Sequence, residues 1–129
     1  MIPDSVTNIG ISAFSGCTGL TSITIGNGVT SITSYTFSGL PNLKSIAIGD
    51  GITSIATQTF SGLINLTSIS IGKNVKSIEI NSFQNCKNLK IIQFAGTTAE
   101  WNTINKNAYW NIDIPATEVI CSDGSISLS

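Results

Sequence analysis

Few side chains able to do chemistry occur in this 129-residue chain, and they lie far apart: three cysteines, seven acids, six lysines and no histidine. The acids (Asp4, Asp50, Glu79, Glu100, Asp113, Glu118, Asp123) fall singly over turns and the C-terminal segment, so the paired carboxylates of acid–base catalysis are not built. Neither a Gly-x-Ser-x-Gly elbow nor a phosphate-cradling glycine loop occurs. With no histidine and no close cysteine pair, a metal site is not expected either. The sequence therefore reads as non-catalytic, with no cofactor. What it repeats instead is a set of positions filled mostly by small, uncharged hydroxyl side chains: Thr21, Ser22 and Thr24; Lys44, Ser45 and Ala47; Thr67, Ser68 and Ser70; Lys90, Ile91 and Gln93. Those twelve positions are the candidate binding residues. Their chemistry suits a broad contact made by many weak hydrogen bonds, and equally a solubilising surface.

The element that positions them is Leu-x-x-Ile-x-Ile-Gly. It appears as Leu20, Ile23, Ile25 and Gly26, then as Leu43, Ile46, Ile48 and Gly49, then as Leu66, Ile69, Ile71 and Gly72, and last as Leu89, Ile92 and Phe94, at steps of 23 residues. Further columns follow the same step: Val6, Val29, Ile52 and Val75; Ile9, Ile32, Ile55 and Ile78; Phe14, Phe37, Phe60 and Phe83. A module this small cannot hide its own apolar face, so copies must stack into a solenoid that buries one continuous core. The Ile-x-Ile alternation predicts a short parallel strand ended by the glycine. A second, shorter strand is expected near Val29–Ile32. A 3₁₀ or α turn holding each Phe is expected to close on a left-handed residue at Gly16, Gly39, Gly62 and Asn85.

Composition narrows the partners. Only 10% of residues are charged, the net charge is −1, and every basic residue is Lys, so no nucleic acid is expected. No apolar run approaches the roughly 20 residues that span a bilayer, and Met1 to Ile9 lack signal-peptide zones, so no membrane insertion is expected. Cys17 and Cys86 lie three repeats apart, about 14 Å along a stack with 4.8 Å between strands, beyond disulfide reach. Both are expected to be small buried hydrophobes in the column of Leu40 and Leu63.

After Phe94 the period breaks, dividing the chain into an array over 1–94 in four coils and a cap over 95–129. Thr97 and Glu100 fit a helix-starting capping box, with Trp101 and Ile104 on one face. Asp123-Gly124 between apolar residues signals a hairpin. At the other end, the edge formed by Ile2, Val6, Ile9, Phe14 and Leu20 has no cap before it. That predicts either further coils in a longer array or self-association through this edge.

Ile2-Pro3, Val6, Ile9-Gly10, Ala13-Phe14, Gly16-Cys17, Leu20, Ile23 and Ile25-Gly26 together resemble the repeat of BspA-like leucine-rich repeat proteins, which are found largely on microbial cell surfaces. The resemblance covers residues 2 to about 94. It implies a right-handed leucine-rich repeat solenoid with parallel strands on its concave face. It also implies a bacterial surface or secreted protein that adheres to, or recognises, a protein or host-surface ligand through the twelve residues above. The alternative is a structural spacer that displays another domain. Five smaller signals remain. Ile91 stands where other coils carry Ser, for contact with the cap or as an apolar anchor. Lys73, Lys76, Lys87 and Lys90 share one coil and suggest a positive patch or a solvated face. Trp101, Tyr109 and Trp110 suggest cap packing or sugar stacking. Asn65-Leu66-Thr67 is a glycosylation sequon, and Thr7, Thr30 and Thr53 make a narrow ladder of the ice-binding kind.

Overall fold

A computed structural model describes residues 2–10, 13–14, 16–37 and 40–128. Strands β1 (Ser22–Ile25), β2 (Ser45–Ile48), β4 (Ser68–Ile71) and β6 (Ile91–Phe94) alternate an outward residue with a buried apolar one, as the Ile-x-Ile pattern predicts. They pair in parallel in the register Ser22↔Ser45, Ser45↔Ser68 and Ser68↔Ile91. The step of the sequence is thus one turn of the solenoid, and each side chain stacks on its equivalent in the next coil. Across the core lies a narrower sheet of β3 (Ser54–Ile55), β5 (Ser77–Ile78) and β7 (Asn105–Lys106). The strand expected over Val29–Ile32 narrows to a single bridge, Ile9↔Ile32, because the chain turns again immediately afterwards.

The Phe-bearing turns close with isolated hydrogen bonds three residues apart, Thr36 N–H to Thr33 O at 3.4 Å, Thr59 N–H to Ala56 O at 3.3 Å and Cys86 N–H to Phe83 O at 3.1 Å. They are the short 3₁₀-type turns expected from sequence, single turns that do not extend into helices. Among the described residues, left-handed positions interrupt them at Tyr35, Gln58 and Asn81, then at Gly16, Gly62 and Asn85. The second set is the one anticipated; Gly39 lies outside the described residues. Inside each turn Thr36, Thr59 and Ser82 are fully buried, and their hydroxyls donate to the carbonyls of Thr33, Ala56 and Glu79 at 2.9, 2.8 and 2.6 Å. Sequence patterning gave no hint of this polar column, since a buried hydroxyl bonded to its own turn looks like any exposed Thr.

The phenylalanines point inward. Phe14, Phe37, Phe60 and Phe83 stack with centroids 5.5, 5.4 and 5.2 Å apart and nearly parallel rings. Trp110 ends the column edge-on to Phe83 at 6.0 Å and continues to Trp101 and Phe94. Of the three cysteines, Cys86 and Cys121 are buried, but Cys17 is exposed, contrary to the expectation of a buried hydrophobe. Its column is covered only where a neighbouring coil lies on both sides, and no described coil precedes the first. A thiol titration should therefore find Cys17 reacting at once, while Cys86, pushed up to about 11 by burial, and Cys121, also raised by burial, react only after denaturation. Equal rates for all three thiols would contradict this burial.

Helix α1 (Thr98–Thr103) starts from the predicted capping box. Thr97 Oγ1 accepts from Glu100 N–H at 3.1 Å, and Glu100 Oε1 accepts from Thr97 N–H at 3.0 Å. Trp101 and Ile104 are both buried. The Thr97 bonds hold the Glu100 carboxyl below its ordinary value of 4.5, helped by the Lys76 and Lys73 charges. A carboxyl whose folded-state value is depressed stabilises the fold above its unfolded value and loses that contribution as pH falls through the folded one. Wild type should consequently lose urea resistance between pH 5 and pH 3 by more than Glu100→Gln does, and parallel pH profiles would refute this coupling. Strands β8 (Glu118–Cys121) and β9 (Gly124–Ser127) form the expected hairpin. Its register is Cys121↔Gly124, so the two loop residues are Ser122 and Asp123 rather than Asp123 and Gly124. Asp123 Oδ1 instead accepts from Thr98 N–H at 2.8 Å, tying the hairpin to the helix start.

Candidate binding face

The twelve residues singled out by spacing line the outward side of the large sheet. Ser22, Thr24, Ile91 and Gln93, on the first and last strands of the array, are exposed, as are Thr21, Lys44, Thr67 and Lys90 just before each strand. Ser45, Ala47, Ser68 and Ser70, on the two middle strands of the array, are half-buried. The residues before the strands are joined in a backbone ladder, Lys44 N–H to Thr21 O, Thr67 N–H to Lys44 O and Lys90 N–H to Thr67 O at 2.8, 2.9 and 3.0 Å. Two side chains add to it: Thr67 Oγ1 donates to Lys44 O, and Ser70 Oγ donates to Gln93 Oε1, each at 3.1 Å. The face is accordingly a stiff, mainly uncharged lattice of hydroxyls.

Sequence reasoning missed that this lattice continues into the cap. β8 joins β6 in parallel with Ile92↔Val119 and Gln93↔Ile120, and β9 follows, giving six strands in the order β1-β2-β4-β6-β8-β9. Glu118, Ile120, Ser125 and Ser127 extend the exposed surface. The signal was present in the alternation of Val119 and Cys121, but the strand sits 27 residues after its partner instead of 23. Ile91 is not covered by the cap. It remains 46% exposed on β6, and Ile120 on the adjacent β8 is 41% exposed; the register sets Ile120 against Gln93, so the two isoleucines lie on a diagonal across neighbouring strands.

Two asparagine-type ladders, also unread in the sequence, lock the coils in place. Asp4, Asn27 and Asp50 each use Oδ1 to accept the backbone N–H of the equivalent residue one coil on, at 2.8, 2.8 and 3.2 Å. Asn42, Asn65 and Asn88 donate Nδ2 back to Thr18 O, Pro41 O and Ile64 O at 2.7, 2.6 and 2.6 Å. The sequon amide of Asn65 is therefore already committed to its neighbouring coil.

A family model described as the BspA type leucine rich repeat region, in six copies, matches residues 1–115. The chain belongs to the BspA-type leucine-rich repeat family. Among solved structures, this BspA-type chain is similar to a leucine rich cell surface protein from Faecalibacterium prausnitzii A2-165, with 37% identity and a TM-score of 0.72 over 82% of this chain. It spans 28% of that protein's length. No curated protein matches it.

The remaining charged and aromatic residues of the BspA-type array fall into place around the sheet. Lys90 lies at the start of the strands, bonded to Thr67 O, whereas Lys73 follows the strand end, bonded to Asp50 Oδ1. About six residues of extended chain, roughly 20 Å, separate them, so the lysines do not form one patch. Trp101 and Trp110 are buried cap residues, while Tyr109 is exposed. Lys106 Nζ lies over the Trp101 ring at 5.2 Å and donates to Trp101 O and Ile104 O. Partial burial lowers its proton affinity. No helix among the described residues is long and apolar enough to cross a membrane.

Proposed function

We propose that this chain is a non-catalytic recognition segment of a bacterial cell-surface or secreted protein, adhering to a protein ligand or host surface through the exposed face of its six-stranded sheet. The observation that carries the reading is the diagonal pair of exposed isoleucines, Ile91 and Ile120, on adjacent strands of a face built mainly of hydroxyl side chains. Exposed aliphatic side chains at the middle of a polar, water-excluding rim are what a binding hot spot requires. The other eleven predicted residues supply that rim, joined by Glu118, Ser125 and Ser127. A cell-surface setting is supported by the description of the Faecalibacterium neighbour.

Beads coated with the purified domain should be retained on intact epithelial cells, and an Ile91→Ser/Ile120→Ser variant should be retained at least about tenfold less with an unchanged thermal midpoint. Retention insensitive to both substitutions would remove the sheet face from the mechanism. No retention of either protein at micromolar concentration would favour the spacer reading, in which the ladders of Asn27 and Asn65 serve stiffness alone.

A further inference from the structure

The turn side of the solenoid, away from the large sheet, carries a second row of residues in register. Tyr35, Gln58 and Asn81 follow at steps of 23, and the pairing Ser77↔Asn105 places Tyr109 next in line, its carbonyl accepting from Asn81 N–H at 3.4 Å. The row crosses four successive coils, about 14 Å at 4.8 Å per strand. Its two ends are exposed tyrosines, 46% for Tyr35 and 57% for Tyr109. Between them the amides are linked, the Tyr35 phenol to Gln58 Oε1, and Gln58 Nε2 to Gln84 Oε1 at 3.1 Å. The Gln84 Nε2 and the Asn81 side-chain amide have no partner among the described residues.

The backbone adds a second observation. Tyr35, Gln58 and Asn81 sit at φ of 64, 60 and 58°, in the left-handed region that side chains other than glycine's occupy at a cost. At the other left-handed position the repeat uses Gly16, Gly62 and Asn85. Asparagine adopts this conformation readily, but tyrosine and glutamine do not, and strain retained at Tyr35 and Gln58 points to use of those side chains.

We propose that this row is a binding strip for an uncharged polysaccharide. A tyrosine ring offers an apolar face to the C–H side of a pyranose, and convergent amides satisfy its hydroxyls; Tyr35 and Tyr109 take the first role, Gln58, Asn81 and Gln84 the second. None of the five is charged, which selects a neutral chain over an anionic one. The strip shares no residue with the sheet face, so either site can fail in experiment without the other.

Calorimetric titration of the domain with cellohexaose, chitohexaose, maltohexaose and β-1,4-mannohexaose tests it. At least one should bind saturably at sub-millimolar concentration, and Tyr35→Ala and Tyr109→Ala should each weaken binding about tenfold or more. Tyr35→Gly is the discriminating variant: binding should fall as far as in Tyr35→Ala, while the thermal midpoint holds or rises because the left-handed strain is relieved. A lower midpoint in Tyr35→Gly would mark a structural role and overturn the proposal. So would the absence of saturable binding by all four hexasaccharides up to millimolar concentration, or affinities unchanged by both tyrosine substitutions.

Discussion

Phe60→Ala is expected to lower unfolding stability by about 3–5 kcal/mol, enough to remove a large part of the roughly 5–15 kcal/mol available to a domain of this size. Phe60 is fully buried and lies between two rings, 5.4 Å from Phe37 and 5.2 Å from Phe83, so truncation leaves a cavity in the middle of the stack. The two stacked pairs add about 0.5–1.5 kcal/mol each beyond area burial. Position in the array magnifies the effect, since each coil is held mainly by its neighbours and a break in the centre separates the first coils from the capped ones. Phe14→Ala supplies the control. It stands in the same column but is half-buried, with one described ring neighbour at 5.5 Å, and should cost less than half as much. Urea unfolding followed by near-ultraviolet dichroism would measure both, and equal losses would show that the stack does not couple the coils.

Gly49→Ala is the second large effect, and its cause is contact between coils rather than backbone freedom. A Cβ at Gly49 would lie 2.6 Å from Asn27 Oδ1, 2.7 Å from Ile25 O and 2.8 Å from the Gly26 carbonyl carbon. Two of those atoms are backbone and cannot swing aside, so adjacent coils must separate and weaken the Asp50 N–H bond to Asn27 Oδ1. Overpacking of this kind costs about 1–3 kcal/mol, and here the upper end is expected because the displaced atoms belong to a strand ladder. The glycine that closes each Ile-x-Ile segment thus admits the neighbouring coil as well as ending the strand. Gly19→Ala is the matched control: nothing lies within 4 Å of its would-be Cβ, and equivalent positions in later coils are Asn42, Asn65 and Asn88. It should change stability by less than about 1 kcal/mol, in either direction. If the two alanine variants melted together, the close approach at Gly49 would be irrelevant to the fold.

Much of the architecture was legible because translation along a solenoid converts a sequence period directly into spatial contact. Once Ile23, Ile46, Ile69 and Ile92 recur at one step, the parallel register, the buried face and the outward positions from Thr21 to Gln93 follow without knowledge of any long-range contact. The phenylalanine stack and the Thr97–Glu100 cap were legible for the same reason, being written in local spacing. Tertiary structure alone decided what depends on neighbours outside the period. It exposed Cys17, whose column is covered only between two coils, and buried Thr36, Thr59 and Ser82, whose hydroxyls find carbonyls within their own turn. It also brought β8 and Tyr109 into line with the array although they stand 27 and 28 residues from their partners. Hydrogen bonding fixes register in space, whatever length of chain lies between, so an insertion that erases the period in the sequence leaves the ladder of coils intact.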